Sequence, residues 1–199
     1  GYVVEGYWQD IGNLEQYRQA NFDALDRRVR LDIPGVRLRG NVFLGEGVEI
    51  DDIERIEGPA YLGNYCRIGA DATVGPYSVL SSSVTLRDRA RTVASVIDAS
   101  THIGRSALIE NAIIGRSCDI RSHVRIHEDV AVGDQVRIGA ESVVMPGVRI
   151  FPVKEVESGS QVYENLIFEA RSSPQLFGQG AVMGLVNVNL TPDTALKIA

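Results

Sequence analysis

The chain has 199 residues, 44% of them hydrophobic and 23% charged, with a net charge of −6. That length suits one good-sized domain with appendages, and the acidic balance argues against nucleic acid as a partner. No apolar run approaches the ~20 residues of a membrane span, no secretory pattern opens the chain, and two cysteines make no disulfide framework, so no membrane partner and a cytoplasmic location are expected.

The opening Gly1-Tyr2-Val3-Val4-Glu5-Gly6 reads as the interior of a longer protein. Gly6-Tyr7-Trp8-Gln9-Asp10-Ile11-Gly12-Asn13 then leads into a helix. Asn13 is a fair N-cap, with Gln16 placed for a box-like arrangement. Leu14, Tyr17, Ala20, Ala24 and Leu25 predict an apolar helical face ending near Arg28, and Ile33-Pro34-Gly35 breaks the chain. On spacing alone, Asp10 is a turn residue ahead of a helix, and Tyr7 and Trp8 are packing residues. The stretch also resembles the end of the catalytic domain in sugar-1-phosphate nucleotidyltransferases, which reads G-Y-W-x-D-[IV]-G before a helix. The resemblance implies that Asp10 helps hold a catalytic Mg²⁺, a cation that takes oxygen ligands. That family's Gly-rich phosphate loop and its other Mg²⁺ aspartate have no counterpart here. This chain alone is therefore expected to be inactive and to need no cofactor.

From Leu38 to Ile150 the chain repeats every six residues. Leu38, Leu44, Ile50, Ile56, Leu62, Ile68, Val74, Leu80 and Leu86 form one series; Ile114, Ile120, Ile126, Val132, Ile138, Val144 and Ile150 form another. Ile97, Ile103 and Ile109 lie between them, and two five-residue steps, Thr92 to Ile97 and Ile109 to Ile114, join the phases. The position two before each aliphatic is generally small or β-branched, with Glu54 an exception that marks a distorted coil. Two inward residues flanking one outward residue is strand alternation, and a turn every six residues needs the Gly, Asn and Asp that cluster there. Three such sides close a triangular coil of about 18 residues, and the slots make a prism roughly 30 Å long at a strand spacing of ~4.8 Å. Cys66 and Cys118 take small inward positions three coils apart on one side, about 14 Å, too far for a disulfide. The pattern resembles the left-handed parallel β-helix of the hexapeptide-repeat family; the left hand is implied by the resemblance.

After Ile150, Phe151-Pro152-Val153-Lys154 and Gln161–Glu169 read as a closing layer over the prism end. Leu176–Gly184 and Val186–Pro192 follow, with Thr191 as N-cap and Pro192 at the first position of a helix running to Ala199. This stretch resembles the opening of phosphohexomutases, F-G-T-x-G-x-R-G then L-T-P-x-x-A, but Gln179 replaces the threonine and Met183 the arginine.

The expected fold class is all-β: a left-handed parallel β-helix of hexapeptide repeats with a short N-terminal helical segment and a C-terminal mixed extension. The divisions are 1–35, the catalytic-domain end with its helix; 36–152, the β-helix; 153–175, a closing segment; and 176–199, the start of a phosphohexomutase-like domain. Together they resemble a mannose-1-phosphate guanylyltransferase arrangement with a phosphomannomutase-like tail. This implies a parent enzyme making GDP-mannose from GTP and mannose 1-phosphate with Mg²⁺. Its catalytic domain would lie upstream and its mutase-like domain downstream, and the flat prism faces suit a homo-oligomer.

Two other functions remain open. A hexapeptide acyltransferase would use a histidine as general base; the candidates are His102, His123 and His127, all at outward positions, and no long extruded loop interrupts the hexads. A regulatory module would hold a sugar phosphate or nucleotide on Arg87, Arg89, Arg91, Arg105, Arg116 and Arg121, a basic cluster on successive coils that reads equally as solvated charge paired with Asp and Glu.

Overall fold

The computed structural model describes residues 6–167 and, beyond them, the strand residues Arg171–Ser172, Phe177–Gly178 and Ala181–Val182. The six-residue step produces three parallel sheets that wrap one core. On the first face Leu44, Leu62, Leu80, Ile97, Ile114, Val132 and Ile150 stand in register on successive strands. The second face aligns Ile50, Ile68, Leu86, Ile103, Ile120, Ile138 and Val156. The third aligns Ile56, Val74, Thr92, Ile109, Ile126, Val144 and Val162. These columns and the small residues beside them form a single buried cluster, a parallel β-helix of hexapeptide repeats.

From Leu62 to Val156 every six-residue corner places the third residue after the inward aliphatic in the left-handed region. Tyr65, Ser83, Ser100, Ser117 and Gln135 mark the first-to-second corner; Asp71, Arg89, Ser106, His123 and Glu141 the second-to-third. The strain of this conformation for residues with a Cβ is offset by a backbone bond to the coil before, such as Tyr65 N–H to Glu46 O at 2.7 Å and Ser83 N–H to Asn64 O at 2.8 Å. The two five-residue steps both fall at the third-to-first corner, where Ala94 and Asn111 take the left-handed position one residue early. The phase change is thus absorbed in a turn, and the sheets continue unbroken.

The ends depart from the expected pattern. Leu38 is not an inward slot: it is 38% exposed, because Val36–Arg37 turns back antiparallel on Val42–Leu44 and covers that sheet edge. Gly35 starts this turn at φ +103°, where a Cβ would lie 2.2 Å from the Leu44 carbonyl oxygen. Glu54 lies in a 3-10 turn, Ile53–Arg55, that replaces the first strand of the third face. The coils also run past 152. Val156 and Val162 are buried, two six-residue steps beyond Ile150, and a further turn begins where Leu166 bridges Ile150 and Arg171–Ser172 pairs in parallel with Glu155–Val156. Of the expected mutase-like stretch only the antiparallel pair Phe177–Gly178 and Ala181–Val182 is described; the rest, with the helix after Thr191, lies outside the described residues. Among the described residues no helix is long and apolar enough to cross a membrane.

Among the described residues of the three aliphatic columns, one slot is polar. Thr92 is fully buried in the column between Val74 and Ile109, and its Oγ1 has no hydrogen-bond partner among the described residues. Valine has the same shape without the orphaned hydroxyl. Thr92→Val is expected to raise the unfolding free energy by about 1–2 kcal/mol, read as a higher urea midpoint at unchanged slope.

Candidate functional site

The helix α1, Leu14–Leu25, begins as the sequence predicts. Asn13 Oδ1 accepts from the Gln16 N–H and Gln16 Oε1 accepts from the Gly12 N–H, both at 2.8 Å. It stops at Leu25, short of Arg28, because Asp26 caps it and Arg27 turns to φ 60°. Its packed face also differs. Leu14 and Tyr17 are each 40% exposed, whereas Leu25 is 2% exposed and packs with Phe43, Val79 and Val96 on the outside of the first face. Arg18 supplies the second anchor: its guanidinium donates to the Asn111 carbonyl at 2.7 Å and to Asp129 at 3.0 Å. Phe22 and Tyr77 meet with ring centroids 5.1 Å apart, and the Tyr77 hydroxyl donates to Asp26 at 3.1 Å. That bond and its burial raise the Tyr77 pKa above the usual phenol value.

Asp23 is the buried charge of this contact. Its carboxylate accepts from the Tyr7 hydroxyl at 2.8 Å, Gln19 Nε2 at 2.9 Å and Arg28 at 3.2 Å. Through Tyr7 it ties the Gly6–Gly12 segment to the helix. The segment itself lies open: Asp10 is exposed, Trp8 is 81% exposed and Ile11 55%. An exposed carboxylate is a suitable single ligand for Mg²⁺. Among the described residues no three His, Cys, Asp or Glu side chains converge on a metal, so the remaining ligands would have to come from elsewhere.

The arginine and histidine candidates divide. Arg87, Arg105 and Arg121 line one cleft of about 420 Å³ at the second-to-third corner, together with His102, His123 and Asp88. Arg89 occupies the left-handed position of that corner but does not line the cleft, and Arg91 projects from the third face. Arg116 lies on the first-to-second corner, where Asp134 at 3.3 Å and Asp98 at 3.8 Å hold it. His127 lies outside the cleft, in the turn after the Arg125–Ile126 strand. Burial, with Arg87 and Arg121 nearby, lowers the His102 pKa against the opposing pull of Asp119. Asp119 is itself engaged by Arg121 at 2.8 Å and Arg137 at 3.7 Å. Arg18 and Asp23, which place the N-terminal segment, carried no motif signal. Their partners lie up to 111 residues away.

Cys66 and Cys118 are free, buried, and three registered strands apart on the second face. Burial pushes the Cys118 thiol up to about 11, and its Sγ lies 3.1 Å from the Gly133 carbonyl oxygen. Since the thiolate is the nucleophile, neither cysteine is expected to react with a disulfide reagent at pH 8 until the chain is unfolded, when both should. Thiol counts with and without denaturant check this.

A family model described as the GMPPB C-terminal domain matches residues 56–167. Over 208 residues the chain is 27% identical to the Bifunctional protein GlmU of Methanocaldococcus jannaschii, covering 84% of this chain and 51% of that protein. It is 30% identical over 156 residues to the Oryza sativa protein named Probable mannose-1-phosphate guanylyltransferase 2, covering 78% of this chain and 39% of that one. The chain thus spans about half or less of the length of these relatives. Among solved structures it resembles UDP-N-acetylglucosamine O-acyltransferase (LpxA) from Moraxella catarrhalis RH4 at 17% identity and TM-score 0.30, over 63% of this chain and 66% of that one.

Proposed function

The chain belongs to the GMPPB C-terminal domain family, and from that premise we infer that it is the β-helix and catalytic-domain edge of a sugar-1-phosphate nucleotidyltransferase. Its finer activity would be transfer of GMP from GTP to mannose 1-phosphate. In such a reaction a sugar-phosphate oxygen attacks the α-phosphorus of the nucleotide, the bond to the β-phosphate breaks, and pyrophosphate leaves with that electron pair. The observation that carries the reading is the docking of α1: Leu25 and Arg18 fasten to the first face the helix that follows Asp10 directly. A β-helix joined this way acts as a spacer and assembly element, and the chemistry sits on its flank, beside the coils of Asn111 and Asp129 where α1 begins. There Asp10 would supply one oxygen ligand to Mg²⁺, which when bound draws charge from phosphate oxygens. The test is pyrophosphate release by the full-length protein across GTP, ATP, UTP and dTTP, each with mannose 1-phosphate and glucose 1-phosphate. GTP with mannose 1-phosphate should turn over fastest. Preference for another pair would overturn the finer assignment, and silence with all of them would overturn the class.

A further inference from the structure

The cleft at the second-to-third corner has no part in the function proposed above. Arg87, Gly104 and Arg121 follow the inward residues Leu86, Ile103 and Ile120 on three successive coils. They stack directly: the Arg87 N–H bonds the Ile103 carbonyl at 2.9 Å and the Gly104 N–H bonds the Ile120 carbonyl at 2.7 Å. The two arginines are therefore rooted two coils apart, about 10 Å at the usual strand spacing. The coil between them has no side chain at this position. Packing enforces the gap, since a Cβ on Gly104 would lie 2.5 Å from the Arg121 carbonyl carbon. Arg105, His102 and His123 flank this floor, and among the described residues Asp88 is the one carboxylate on the lining. Three guanidinium groups against that carboxylate make a locally positive site on a chain of net charge −6. Arg121 is partly neutralised by Asp119, but Arg87 and Arg105 form no ion pair among the described residues.

We propose that this cleft binds a small phosphate-bearing anion, held by Arg87 and Arg121 from the coils on either side of Gly104, with Arg105 at the rim. The planar guanidinium fork matches phosphate oxygens and remains charged at every physiological pH. An anion there also relieves the crowding of positive charge around His102. The corner joins the second and third faces, whereas α1 attaches to the first face and to the third-to-first corner. The site therefore stands or falls independently of nucleotidyl transfer.

Calorimetric titration of the 199-residue chain with inorganic pyrophosphate, without divalent cation, tests the proposal. Inorganic phosphate, mannose 1-phosphate and GDP form parallel arms that identify the source of the phosphate. Saturable binding to one site is expected, weakened about tenfold or more by Arg87→Gln and by Arg121→Gln. Arg67→Gln, which alters an exposed arginine paired with Glu49 on the same face, should leave it unchanged. In the unaltered chain, pyrophosphate should shift the imidazole NMR signals of His102 and His123 and leave that of His127 in place. Absence of saturable binding in all four arms, equal loss in Arg67→Gln, or a matching shift at His127 would overturn the proposal.

Discussion

Ile120→Ala should destabilise the chain by about 3–4 kcal/mol, in the upper half of the usual range for a large aliphatic truncated in a core. Ile120 is fully buried, stacked between Ile103 and Ile138, which are also fully buried. The void cannot easily collapse, because the backbone on both sides is fixed by the ladder. Gly104 N–H to Ile120 O at 2.7 Å and Arg121 N–H to Ile138 O at 2.9 Å hold the neighbouring coils at their spacing. The lost methyl groups therefore cost both their transfer energy and the cavity they leave. Each coil is supported only by its neighbours, so damage at the centre should also loosen the coupling between the two halves of the prism. Urea unfolding should show the lower midpoint and a broadened transition. Arg125→Ala, on an exposed side chain of the third face, should stay within about 0.5 kcal/mol. A loss below about 1 kcal/mol at Ile120 would mean that the coils re-space freely, contrary to a laddered core.

Asp10→Ala should do the reverse: lower kcat of the full-length protein by about a hundredfold or more and leave its unfolding curve unchanged. The side chain is exposed and forms no ion pair among the described residues, so its removal takes no support from the fold. Several kcal/mol of charge stabilisation at a metal-assisted phosphoryl transfer corresponds to that loss of rate. The Mg²⁺ concentration for half-maximal activity should rise, which a merely structural role would not produce. Unchanged kcat and unchanged Mg²⁺ dependence would remove Asp10 from the chemistry.

Much of the fold is legible in the residues because a β-helix writes its core as a strict period. The aliphatic columns, the cap at Asn13 and the two shortened corners all follow from local spacing. The second end of the prism was harder to read, since Lys154 sits where a small inward residue is expected and hides the steps to Val156 and Val162. The orientation of α1 was not legible: its inward face is decided by Arg18 reaching Asn111 and Asp129, partners that no helical periodicity reveals. The arginines show the same limit. Neighbours in sequence, such as Arg116 and Arg121, lie on different corners, whereas Arg87 and Arg121 share one because each follows an inward residue of the same column. Position within the coil, rather than proximity along the chain, is the signal that groups them.

If the chemistry lies at the Asp10 segment and the prism serves as its support, the histidines of the prism are dispensable for product formation. The most direct test is a product analysis of the full-length protein carrying His102→Ala, His123→Ala and His127→Ala together, supplied at once with GTP, mannose 1-phosphate and acetyl-CoA. GDP-mannose and pyrophosphate are expected at the rate of the unaltered protein, with acetyl-CoA unconsumed by either. Acetyl transfer by the unaltered protein that disappears with the three histidines, and no sugar nucleotide from either, would contradict it.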